Sequence, residues 1–135
     1  MDRLTPWAPR VLSILRIMAA LLFLEHGTQK LFGFPPPMQA MPSPLPPMLL
    51  AAGALEVVGG ILMAFGLFTR PVAFVLSGMM AVAYFVAHGS RGFFPALNGG
   101  DAAILFCFLF LYMACAGGGP WSADSALAAR RAPSV

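Results

Sequence analysis

Four apolar runs, at about residues 11–33, 48–68, 71–88 and 101–118, dominate the chain. Each is near the roughly 20 residues a helix needs to cross a bilayer. In hydrocarbon every backbone N–H and C=O must be satisfied without water, and a helix does this within one segment. Four such runs in 135 residues leave no room for a separate soluble domain. The expected fold is therefore all-α: one four-helix transmembrane bundle. Only 10% of residues are charged, whereas a soluble domain carries roughly 25%. That is too little polar surface to coat a globule in water.

The breaks between the runs are chemically explicit. Gly33 and Pro35-Pro36-Pro37 stop the first helix, because proline lacks the N–H and clashes with the preceding turn. Residues 35–47, PPPMQAMPSPLPP, form a stiff uncharged loop that is either a cap on the membrane surface or a plain connector. Thr69-Arg70-Pro71 is a tight turn, with proline suited to the first position of the third helix. Gly117-Gly118-Gly119-Pro120 ends the fourth. Residues 1–125 are expected to be the membrane domain and 126–135 a mobile tail. Arg3 and Arg10 ahead of an apolar run imitate a signal peptide, but the run meets Glu25-His26-Gly27 instead of a cleavage site, so a retained helix is expected.

The net charge of +3 could suggest nucleic acid. The basic residues form no patch, however, and no nucleic-acid partner is expected. They sit at segment ends, as topology signals do. With four spans, one side holds Arg3, Arg10, Arg70, Arg130 and Arg131, and the other holds Lys30 and Arg91. Both termini are therefore expected in the cytoplasm.

The stretch Arg16–Lys30 is the chemical centre of the chain. It carries Arg16, Glu25, His26, Gln29 and Lys30 inside an otherwise apolar helix. Ionisable groups within a membrane are costly and usually mark function. In the second helix Gly53, Glu56 and Gly60 share a face, so Glu56 should point into the bundle beside small residues that admit a neighbour. Glu25 and Glu56 are expected roughly 10–12 Å below the outer boundary. Two carboxylates at matching depth need either a retained proton or a cation between them. Lys30, His26 and Arg91 from above and Arg16 from below are the candidate cations. Tyr84 and His88 share a face on the third helix, and Asp101 opens the fourth, so both helices add polar groups to the same outer half. Glu25, His26 and Glu56 are the candidate catalytic residues, and Gln29, Lys30, Tyr84, His88 and Asp101 the candidate substrate-binding residues. Arg16 lies about 180° from Glu25 round the helix and is expected to be structural, in an ion pair from another helix or reaching the interface. The competing reading of the acids is a polar network that locks the bundle.

No resident cofactor is evident in the sequence. Cys107 and Cys115 are eight residues apart on one helix, about 12 Å along its axis and beyond disulfide reach. His26 and His88 could ligate a haem, and a Glu/His/Asp set a metal, but no spacing demands either and neither is expected.

Several pieces resemble the DoxX family of small bacterial membrane proteins. They are Arg16 followed by Glu25-His26-Gly27-x-x-Lys30-Leu31-Phe32-Gly33, then Gly53 to Gly60, Gly66-Leu67-Phe68-Thr69-Arg70, Asn98-Gly99-Gly100-Asp101 and GGGPWSAD at Gly117–Asp124. The resemblance covers most of residues 12–124 in order. It implies a multi-pass protein of the bacterial inner membrane. Family relatives include a subunit of a thiosulfate:quinone oxidoreductase and members linked to membrane redox defence. Two departures stand out: Asp101 stands where many relatives resemble one another in carrying Glu, which preserves the acid, and the final motif keeps only the outline Gly117, Gly119, Ser122, Asp124. The resemblance implies an oxidoreductase or redox-complex subunit that handles a quinone-like or small thiol or sulfur substrate. Electrons would come from a partner subunit or a bound cofactor, and a second copy of the chain is a further expected partner. A non-enzymatic anchor, assembly factor or small-molecule or proton carrier is the alternative.

Overall fold

A computed structural model describes residues 3–37 and 40–131. Met1, Asp2, Met38, Gln39 and residues 132–135 lie outside the described residues. So do the parts of the N-terminal lead, the surface-cap reading and the mobile tail that fall on them.

Helix α1 spans Ala8–Phe32, entered through a 3-10 turn at Thr5–Trp7. It stops at Gly33, whose φ of 66° is left-handed, a conformation glycine adopts without penalty. Helix α2 spans Pro47–Phe65, with a proline in its first turn, where no N–H is needed. Helix α3 spans Thr69–Ala83 and continues through a π turn at Tyr84–His88 and a 3-10 turn at Gly89–Arg91. A single turn, α4, covers Pro95–Asn98; α5 covers Asp101–Ala116; α6 covers Ala123–Arg131. No strand occurs among the described residues.

Three helical stretches, Thr5–Phe32, Pro47–Phe65 and Thr69–Arg91, are long and apolar enough to cross a membrane. The fourth expected span is shorter than the others. α5 has 16 residues, about 24 Å against a hydrocarbon core of about 30 Å, because Gly100 and Gly117 bound it. Along the four helices leucine, valine and phenylalanine are exposed in large numbers, among them Leu21, Leu22, Val58, Phe74, Leu105 and Phe108. A water-soluble monomer does not carry apolar surface on this scale; lipid tails cover it. The C-terminal segment is helical through Arg131, with Asp124 in the first turn of α6 and Arg130 and Arg131 in the last. Both placements suit the helix dipole.

The chain forms two compact units, residues 1–69 with 118–135, and residues 70–117. In the first, α1 packs along α2, and Ala19, Ala20, Phe23 and Met63 are buried. The contact is as close as the glycine face of α2 allows. A Cβ built on Gly53 would stand 2.9 Å from the Leu31 side chain, and one on Gly60 3.0 Å from Leu24. From the other side, a Cβ on Gly27 would lie 2.8 Å from the Val57 backbone nitrogen and 2.9 Å from the Glu56 Cβ. Backbone cannot give way as a side-chain tip can. Gly27→Val is therefore expected to destabilise the fold by about 1–3 kcal/mol, read as a lower thermal midpoint in detergent. Gly78→Val, where a Cβ meets nothing within 4 Å, should leave the midpoint nearly unchanged.

In the second unit Ala73, Leu76 and Met80 of α3 and Ala103, Phe110 and Met113 of α5 are buried. The Ser77 hydroxyl donates to the Cys107 carbonyl at 2.8 Å.

Candidate functional site

Close packing at Gly27 and Gly53 sets the α1–α2 spacing, and one ion pair spans it. Lys30 stands in the last turn of α1. Helical side chains lean toward the N-terminus of their helix, so its ammonium reaches back along α1. It donates to Glu56 Oε1 at 2.7 Å and to Oε2 at 2.6 Å. The Glu56 side chain is 5% exposed and that of Lys30 22%. An ammonium has three N–H donors. Two are spent on Glu56, and the third has no protein acceptor among the described residues. The site is thus a buried carboxylate neutralised by a cation that is reachable on one side.

The other expected members divide into two groups. Glu25 and His26 are exposed on α1, and Gln29 is half-buried one position before Lys30. The expected pair of buried acids is therefore not formed. Gly27 is the α1 residue that faces Glu56 and Val57, and Glu25, two residues earlier, is turned about 160° away. Glu56 takes its cation from Lys30 instead of sharing one with Glu25.

Tyr84 and His88 lie in the second unit, and each contacts Asn98. The His88 ring contacts the Asn98 carbonyl through Nδ1 at 3.1 Å. A carbonyl only accepts, so Nδ1 is the donor in this contact. Asn98 Nδ2 donates to the Gly92 carbonyl at 2.9 Å and to the Tyr84 hydroxyl at 3.4 Å, while its Oδ1 accepts the Gly100 amide at 2.8 Å. Both aromatic residues lie in the π turn, a local widening that often accompanies function. Asp101 is exposed at the start of α5 and has no side-chain hydrogen bond in this cluster. Among the described residues no three His, Cys, Asp or Glu gather to hold a metal ion.

Arg16 differs most from expectation. It is fully buried and makes no ion pair among the described residues. Its Nε donates to the Gly118 carbonyl at 2.9 Å and its Nη2 to the Trp121 carbonyl at 2.5 Å. Its Nη1 donates to Ala64 at 2.6 Å and to Met63. Met63 and Ala64 lie in the last turn of α2, where carbonyls are short of helical donors and the dipole favours a cation; the Met63 carbonyl also accepts the Gly66 amide at 3.1 Å. Gly66 makes room: its φ is 67°, and a Cβ there would lie 2.9 Å from the guanidinium carbon. The Trp121 amide donates to Ser13 Oγ at 3.1 Å.

Asp124 completes this end. Its carboxylate accepts the Phe68 and Thr69 amides, each at 2.8 Å. The buried Thr69 hydroxyl closes no hydrogen bond of ordinary geometry. Partial burial pushes the Asp124 carboxyl up, but contacts with Thr69 and Phe68 and the charge of Arg16 outweigh it and hold it below the ordinary aspartate value. A lowered native value stabilises the fold above the unfolded carboxyl range, near about pH 3.9, and that gain is lost as pH falls through the native value. Thermal midpoints measured from neutral pH to about pH 3 should therefore fall less steeply for Asp124→Asn than for wild type.

An all-helical membrane protein with a Lys–Glu pair, its carboxylate buried, on its first two helices, and a carbonyl-caged arginine earlier on the first, is the class that fold and site define. The DoxX family pattern matches residues 11–89, more than half of the chain, and the chain belongs to that family. An uncharacterized protein of Haemophilus influenzae is 45% identical over 129 residues, covering 93% of this chain and 96% of that protein. No solved structure matches the chain.

Proposed function

We propose that this DoxX protein is a four-span subunit of a bacterial inner-membrane redox complex, both termini cytoplasmic, that binds a quinone-like molecule at Lys30–Glu56. The third N–H of Lys30 carries the reading. It is a charged donor held at the end of an apolar helix pair, where a lipid-soluble carbonyl compound can approach. Glu56 keeps the ammonium charged and aimed, offsetting the cost the membrane would impose on a lone cation. Gln29, half-buried next to Lys30, offers an amide N–H as a second donor. Glu25 and His26, on the outward side of the same turns, are further candidates to pass protons as quinone oxygens are reduced or reoxidised. Tyr84 and His88, oriented by Asn98, are further substrate-binding candidates, and Asp101 remains one by position on α5. Quinone reduction consumes two electrons and two protons. The chain has no C-x-x-C pair, so a partner subunit supplies the electrons.

The test is mass spectrometry of the protein purified in its own lipid. Wild type should retain a stoichiometric benzoquinone or naphthoquinone. Gln29→Leu and His26→Gln, both at sites outside the core, should lose much of it while folding normally. Absence of quinone from wild type would favour the anchor or carrier reading, in which Lys30–Glu56 only locks two helices.

A further inference from the structure

We propose that the end of the first unit built from the start of α1 and from α6 is a binding surface for the phosphates of anionic phospholipids. The two segments, residues 1–16 and 118–135, carry five arginines against Asp2 and Asp124. Arg16 is consumed by backbone carbonyls. Arg3, Arg10, Arg130 and Arg131 are exposed, and none makes an ion pair among the described residues. Asp124 cannot neutralise them, because both its oxygens are taken by the Phe68 and Thr69 amides.

The four cations belong to one end because the segments are bonded together. Ser13 and Arg16 hold the backbone of Gly118 and Trp121. α6 starts two residues later and is only nine residues long, about 13 Å. Its Leu127 shares a face with Arg130 and Arg131, at i+3 and i+4. Trp7 is 55% and Trp121 54% exposed. The Arg10 guanidinium lies 5.1 Å over the Trp7 ring, a stacking that leaves its N–H edges free. Exposed tryptophan beside unpaired arginine suits the headgroup layer, where the ring lies against acyl chains and the guanidinium meets phosphate. A soluble anion would use the arginines and leave the tryptophans and Leu127 in water. This surface is independent of Lys30–Glu56.

The experiment is native mass spectrometry of the full chain in mixed micelles holding equal phosphatidylglycerol and phosphatidylcholine. Wild type should retain phosphatidylglycerol preferentially. Arg130→Ala with Arg131→Ala should cut that preference roughly twenty- to thirty-fold, from about five-fold per arginine. Arg91→Ala, outside this unit, should leave it intact. Salt at about 1 M, where screening acts within about 3 Å, should remove most of it, and millimolar inorganic phosphate should not. Equal retention of both lipids by wild type, an unchanged preference in the double variant, an equal loss in Arg91→Ala, or displacement by inorganic phosphate would each overturn the proposal.

Discussion

Arg16→Met is expected to destabilise the protein by about 3–5 kcal/mol, the scale of several buried carbonyls losing their donor at about 1–3 kcal/mol each with partial relaxation. Methionine keeps much of the volume, so the effect isolates the hydrogen bonds. The substitution strips donors from Met63, Ala64, Gly118 and Trp121 together. The C-terminal turn of α2 then keeps only the Gly66 and Leu67 amides as donors, and residues 118–121 lose the guanidinium that holds their carbonyls. Arg16→Lys should recover only part of the loss. Its single nitrogen cannot reproduce the fork that serves carbonyls in three directions. Thermal unfolding in detergent and the amount of protein in membranes both report this. A midpoint for Arg16→Met near wild type would show that the carbonyls find water or other donors.

The second large effect concerns the ion pair. Lys30→Met leaves Glu56 buried without its cation and should cost about 3–5 kcal/mol. Removing both charges is different. In Lys30→Met with Glu56→Leu neither group is stranded, and stability should return to within about 1–2 kcal/mol of wild type. That non-additivity, read from the four midpoints, measures the coupling. Quinone retention separates structure from function. If the pair serves binding, the double variant folds and is empty. If it folds and retains quinone as wild type does, the site lies elsewhere.

Much of this arrangement is legible in the amino-acid sequence. Long apolar runs have few fates, so α1, α2 and α3 are plain. Glu56 among Gly53 and Gly60 announces a buried acid on a close-packed face, and Lys30 lies at a compatible depth. Two things are not readable. Arg16 is satisfied by backbone carbonyls, which every residue has, so no sequence pattern names its partners. The only hint is that GGGPWSAD carries small residues and an acid where a simple stop needs neither. Glu25 misleads for a different reason. Matching depth suggests proximity, but a helix has a circumference, and Gly27 takes the side facing Glu56. Asn98 looks like turn chemistry. Its part in orienting Tyr84 and His88 depends on the π turn, which has no clear signature in YFVAH.

The clasp between Arg16 and residues 118–121 also has a temporal side. Its first partner is made early and its last ones about a hundred residues later, with the whole of the second unit synthesised in between. Until Gly118 and Trp121 arrive, the guanidinium inside α1 has only the end of α2 to hold it. A chain that stops short keeps a charge in the membrane half satisfied. Arrival of Gly118 to Trp121 and full satisfaction of that charge are therefore one event, and a chain that stops before Gly118 differs from one that runs through Trp121 by a guanidinium with fewer acceptors.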